Sequence, residues 1–223
     1  MAITVLVSHD DIMTEPDLPT SSTVYQLRAV LRGISPLIWR RLLVHGDASL
    51  ADLHAALQVA FAWDGSHLHR FVVHGTEYGI CYYGGPVFRD DPTKVSLVDL
   101  GLRVGERFRY DYDFTDDWHH DIRVEQVMAA DPNGRYPRCT GGRRSGPPED
   151  CGGPWAFEEG RQRYGIFFMA SLLADMMEHP DARLGDYSEQ LSELRPWFDL
   201  DRFDRRATNR TLAQLCDPER SVA

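Results

Sequence analysis

Two alternating runs joined by a three-residue polar link restrict this chain more than any other feature. In the run from Arg107 to Phe114, residues Phe108, Tyr110, Tyr112 and Phe114 share one face of an extended strand. In the run from Trp118 to Val127, residues Trp118, His120, Ile122 and Val124 do the same. A period of two belongs to a strand, because successive side chains leave opposite sides of the backbone. The link Thr115-Asp116-Asp117 is short enough to close a hairpin. An antiparallel sheet with an aromatic inner face is expected.

The same reading extends along the chain. Val24 to Arg32 alternates, with Tyr25, Leu27, Ala29 and Leu31 on one face, and Leu37 to Val44 follows as a second strand. A helix starts at Ser49, where Ser49 and Asp52 have the spacing of a capping box. Its apolar stripe is Leu50, Leu53, Leu57, Ala60 and Phe61. Strands are expected over His67 to Val73 and Thr76 to Tyr83, and a short helix over Ser96 to Leu100. The stretch 131–160 is Gly- and Pro-rich and reads as one long irregular loop. Helices follow at Tyr164 to Glu178, Asp186 to Leu194 and Arg205 to Leu215, the last behind a cap at Asp204.

The expected class is therefore α+β: a mainly antiparallel sheet with one packed helix in the first half, an irregular Gly/Pro-rich loop, and a helical C-terminal part. Residues 1–22 form a tail broken by acids and prolines, 23–215 a single domain, and 216–223 a second tail. The domain divides into 23–130, 131–160 and 161–215. The apolar girth of the helix from Tyr164 suits core, or a contact between copies in a homo-oligomer.

Charge narrows the partners. Acidic residues number 34 against 24 basic ones, a net charge of −10, which disfavours broad attraction to nucleic acid or an anionic membrane. A local basic cluster remains at Arg135, Arg138, Arg143 and Arg144. It is either a solvated loop or a contact surface. The four cysteines, Cys81, Cys139, Cys151 and Cys216, form no Cys-x-x-Cys pair and are too few for a disulfide scaffold. Met1 to Asp11 lacks the cationic lead-in and cleavage site of a signal peptide, and no stretch approaches the ~20 apolar residues of a membrane span. The cytoplasm is the expected location.

Several runs resemble the Ri-plasmid ORF-three-like family. They are Pro36 to Arg41, Leu53-His54, Trp63 with His67-Leu68-His69, Tyr112 to Trp118 with His120, and Pro147 to Gly153. The closing Trp197, Phe198-Asp199, Phe203-Asp204 and Asn209 match as well, so the resemblance covers residues 23–215 in order. It implies an α+β fold and an association with chromosomes, plasmids and mobile elements, including an insertion-element passenger protein called TnpR. It implies no activity, and no motif here supports the recombinase reading that the TnpR label invites. Thr115 replaces the glycine usual in the family's Asp-Phe-Gly-Asp turn, and Pro154-Trp155 departs from its pattern after the double glycine.

The candidate chemistry lies in three places. His67 and His69, two apart on a strand, face the same way and suit one metal ion, or else are hydrogen-bonded polar residues. Asp113, Asp116, Asp117 and His120 crowd the hairpin turn, where aspartates also bond their own backbone. Cys139 and Cys151 bracket the loop, with Glu149 and Asp150 before the second cysteine. The metal-ligand candidates are His67, His69, Asp113, His120, Cys139 and Cys151, for zinc or another divalent transition metal. Asp116 and Glu149 are candidate bases for metal-assisted hydrolysis. A cysteine nucleophile is a further option, and loop packing alone another. There is no phosphate loop, dinucleotide fingerprint, His-Glu-x-x-His or Gly-x-Ser-x-Gly. Two functions result: a metal-binding or catalytic pocket where the groups converge, or a non-catalytic module binding protein or nucleic acid through the Arg-rich loop 135–155.

Overall fold

The computed structural model describes residues 23–80, 88, 91–179 and 187–215. The two terminal tails, Cys81, Cys216 and the end of the expected strand at Tyr83 lie outside them.

The fold is α+β. Seven strands form one sheet: β1 (Thr23–Leu31), β2 (Trp39–His45), β3 (His69–Val73), β4 (Thr76–Tyr78), β5 (Arg107–Tyr112), β6 (Trp118–Ala129) and β7 (Arg138–Arg143). Their order is β4-β3-β5-β6-β1-β2-β7, and every pairing is antiparallel. The faces follow the alternation in the sequence. Tyr25, Leu27, Ala29 and Leu31 are buried, as are Phe108, Tyr110, Tyr112, Trp118, Ile122 and Val124. Phe114 falls beyond the end of β5 and stays partly exposed.

Helix α1 (Leu50–Phe61) supplies the other half of the core. The Ser49 hydroxyl accepts from the Asp52 amide, and the Ser49 amide donates to the Asp52 carboxylate, so the capping box is complete. Ala62 closes the helix with φ 65°. Leu50, Leu53, Leu57 and Phe61 are almost wholly buried.

Three readings of the sequence change. The stretch 96–100 is a turn rather than a helix, in which Ser96 and Asp99 satisfy one another locally. The irregular loop contains β7, and its end is the start of α2 (Gly153–Arg163). The helix expected from Tyr164 to Glu178 is α3 (Ile166–Glu178), set off from α2 by a break at Gly165. No residue of α3 is buried: Phe167 and Met177 are more than four-fifths exposed, so the helix is not core. The chain ends in α4 (Ser188–Leu194), a short 3-10 turn (Arg195–Trp197) and α5 (Arg205–Leu215). Asp204 caps α5 through the amides of Arg206 and Ala207.

Two residues fasten the C-terminal part to the sheet. Asn209 of α5 accepts from the Cys139 amide at 2.7 Å and donates to the Cys139 carbonyl at 2.9 Å. Arg40 of β2 is buried with no carboxylate partner among the described residues. Its guanidinium donates to the carbonyls of Ala60 (2.6 Å), Trp39 (2.8 Å) and Arg143 (3.1 Å). It lies between the rings of Phe61 and Phe203, 4.9 and 4.0 Å from their centroids. Burial lowers its pKa only to about 10, so it stays charged at neutral pH. Lysine keeps the charge but not the planar fork or the stacking. Arg40→Lys is expected to cost about 2 kcal/mol in chemical denaturation, from lost bonds to buried carbonyls.

Candidate functional site

The site forms where the β5–β6 turn meets the loop before α2. Trp63 Nε1 donates to the Pro147 carbonyl at 3.0 Å, Tyr112 donates to Glu149 Oε1 at 2.5 Å, and the Asp116 carboxylate accepts from the Gly152 amide at 2.9 Å. These bonds come from three separate segments and hold 147–152 against the end of the sheet. Gly153 completes the contact. A Cβ built there would stand 2.3 Å from the Asp116 carbonyl oxygen, so only glycine allows this approach.

His67 sits between the two walls. Its Nδ1 is 3.8 Å from Asp113 Oδ2, and its Nε2 is 3.1 Å from Asp150 Oδ1. The second contact lacks hydrogen-bond geometry, since Nε2 is buried without such a partner. One ligand atom from each of His67, Asp113 and Asp150 lies within 4.8 Å of the others. Asp113 is buried, with φ 52°. Its Oδ1 closes the turn by accepting from the Thr115 and Asp116 amides, which leaves Oδ2 for His67. Asp150 stands at the solvent side, its side chain 74% exposed.

Beside this trio lies a cavity of about 400 Å³, lined by Ala51, His54, Gly65, Ser66, His67, Leu68, His69 and Ile80. His54 of α1 and His69 of β3 stack in its wall, their ring centroids 3.5 Å apart and their planes 6° from parallel. Gln58 donates to the Tyr110 hydroxyl at 2.8 Å, and that hydroxyl lies 2.7 Å from His54 Nδ1. Burial, and then the neighbouring His69, lowers the His54 pKa to about 3; burial lowers that of His69 to about 4. Both rings are neutral at pH 7. Burial raises the Glu149 carboxyl above its ordinary value, against the bond from Tyr112. Its second oxygen, Oε2, is buried without a hydrogen-bond partner among the described residues.

The sequence candidates therefore divide. His67, Asp113 and Glu149 come to one end of the sheet, and His69 lines the same cavity, although β3 begins only at His69 and His67 lies in the loop before it. Asp116 serves as the clamp on Gly152. His120 is fully buried in the core beside Phe61, Trp63 and Tyr110. Its Nδ1 donates to the Tyr110 carbonyl, while its Nε2 has no hydrogen-bond partner among the described residues. Cys139 lies on β7, with four strands between it and β3, on the order of 24 Å across the sheet. Its thiol donates to the Gly141 carbonyl. Cys151 is near Asp116, and burial followed by that carboxylate pushes its pKa up to about 12, opposite to an activated thiol.

The arginine cluster also splits. Arg144 pairs with Asp201 and bonds the Leu37 carbonyl, while Arg138 faces α5. Sequence reasoning did not single out Asp150 as a third candidate ligand, nor His54 as the stacking partner of His69. His54 had a signal: it precedes the buried stripe's next member by three positions, at the helix edge facing the strand that carries His69.

A family model described as plasmid pRiA4b ORF-3-like protein matches residues 23–207. The chain belongs to that family. Four of the segments that carried the resemblance (Leu53-His54, Trp63 with His67 to His69, Tyr112 to His120 and Pro147 to Gly153) meet around the site, whereas Arg40, Phe203 and Asn209 of the others lie where β2, β7 and α5 pack together. The chain is 33% identical over 142 residues to an uncharacterized protein, y4hQ, of Sinorhizobium fredii (strain NBRC 101917 / NGR234), an alignment covering 62% of this chain and 71% of that one. Its fold resembles the crystal structure of MM3350, a protein of unknown function from Methanosarcina mazei Go1. The TM-score is 0.63, the identity 31%, and the match covers 83% of this chain and 96% of that one. Among the described residues, no helix is long and apolar enough to cross a membrane.

Proposed function

We propose that the chain binds a divalent metal ion through His67, Asp113 and Asp150 and uses it for hydrolysis in the adjoining cavity. The observation that carries this reading is the convergence of one imidazole and two carboxylates, drawn from three segments, within 4.8 Å. Imidazole with carboxylate oxygen suits zinc or manganese, and three protein ligands leave coordination positions for water and substrate. A cation held there lowers the pKa of bound water. Glu149 is the base of this proposal: Tyr112 fixes one oxygen and leaves Oε2 free to accept a proton. The neutral His54 and His69 add no positive charge beside the cation at pH 7.

Calorimetric titration of metal-free protein with zinc and manganese tests the reading. One equivalent of one of them is expected to bind. His67→Ala and Asp150→Asn should each weaken that binding by at least about tenfold, as loss of a ligand requires. Asp150 is exposed, so its substitution spares the fold. Cys139→Ser should leave the affinity unchanged. Binding that survives both ligand substitutions defeats the proposal.

A further inference from the structure

A second cavity, of about 480 Å³, opens at the other side of the sheet between β7 and α5, lined by Arg138, Thr140, Arg205, Arg206, Asn209 and Arg210. A third, of about 400 Å³, shares Arg138 and Asn209 with it and adds Arg135 and Asp131. Together they form one trough with five guanidinium groups along it, in a chain whose net charge is −10.

These arginines have no close carboxylate partner among the described residues; Arg210 reaches Asp204 only at a distance, as one of the charges that lower the Asp204 pKa. None of the five makes an ion pair among the described residues; Arg107 and Arg123 are among other arginines that make none, but these five gather along one trough. The acids nearby are otherwise engaged. Asp204 Oδ1 caps the amides of Arg206 and Ala207, and Asp131 Oδ1 accepts from the Asn133 amide at 2.9 Å. Arg205 spends one nitrogen on the Thr140 carbonyl at 3.0 Å. Arg206 and Arg210 stand four apart on α5, where like charges destabilise a helix by about 0.2–0.5 kcal/mol. Five guanidinium groups against the one lining carboxylate of Asp131 leave this concave site with an excess of positive charge that suits an anion.

We infer that the trough binds a compact oligophosphate, recognised through its phosphates. Guanidinium groups bind phosphate oxygens in bidentate fashion, and a cavity of this size holds a small ligand. No aromatic ring lines either cavity, so there is no platform on which a base could stack. A long polynucleotide running out of the trough would meet the acidic surplus of the surface.

The test is titration calorimetry with sodium tripolyphosphate, ATP and a 20-nucleotide single-stranded DNA at low salt. The expected result is saturable 1:1 binding of tripolyphosphate, with ATP within about threefold of it. The double variant R206E/R210E should weaken that binding at least tenfold, while Arg107→Glu on β5 changes it less than twofold. Arg206 and Arg210 are both exposed, and a thermal melt within about 2 °C of wild type confirms that the variant folds. If that variant melts early, R206Q/R210Q replaces it, with the same tenfold loss expected. Absence of saturable tripolyphosphate binding overturns the inference, as does binding that resists the double substitution. DNA binding ten times tighter than tripolyphosphate also overturns it, in favour of a nucleic-acid surface.

Discussion

Acidification from pH 6.5 to 5 should cost the protein up to about 5 kcal/mol of stability. His54, His69 and His120 have pKa values lowered to about 3, 4 and 3, in each case chiefly by burial. In the unfolded chain each titrates near its ordinary 6.5. Below that value the unfolded state takes up protons that the folded state refuses, so stability is complete above pH 6.5 and falls as pH drops toward 4. Each such histidine contributes a slope of about 1.4 kcal/mol per pH unit. His120, fully buried, accounts for about 2 kcal/mol at pH 5, and the three for at most about 6, comparable with a domain's whole stability. Glu149, whose pKa is raised, acts in the opposite sense. Carboxylates with lowered pKa values, such as Glu125, enter only below about 4.5. Urea midpoints measured from pH 7.5 to 5 give the slope, and His120→Phe, which fits its aromatic surroundings, should reduce it by one proton. A level profile over this range would refute the assignment.

Gly153→Ala should cost about 3 kcal/mol or more and abolish the proposed metal binding. The backbone there has φ 81°, which costs an alanine on the order of 1–2 kcal/mol. In addition, its Cβ meets the Asp116 carbonyl oxygen at 2.3 Å, a backbone atom that yields only if the hairpin turn moves. That turn carries Asp113, so the His67, Asp113 and Asp150 trio comes apart along with the loop. Gly75 supplies the control: φ is 80°, yet nothing lies within 4 Å of an added Cβ. Gly75→Ala should cost about 1 kcal/mol and leave metal affinity intact. Thermal melts and zinc titrations of the two variants side by side separate strain from collision. Equal losses in both would show that the loop contact plays no part.

Local rules made much of this fold legible. The faces of β1, β5 and β6 followed from alternation, and the start of α1 from Ser49 and Asp52, because period and capping depend on neighbours in sequence. β7 escaped because its Gly141-Gly142 pair has no alternating side chains, and its partner β2 lies about a hundred residues earlier. The candidate site shows the same division. His67 and Asp113 stood out by residue type and spacing, whereas Asp150 became their neighbour only through bonds from Trp63, Tyr112 and Asp116 to a distant loop. Cys139 was misplaced for a related reason: strand order is a property of the whole sheet, and no single run of residues states it.

The paired bonds between Asn209 and the Cys139 backbone bear on how copies of this protein behave when crowded. A side-chain amide there occupies the donor and acceptor that an intruding extended segment would seek, and Arg205 engages the next carbonyl. Recruitment of a foreign strand at that border is therefore hindered, and among the described residues the opposite border of the sheet is the three-residue Thr76–Tyr78, which offers little to template on.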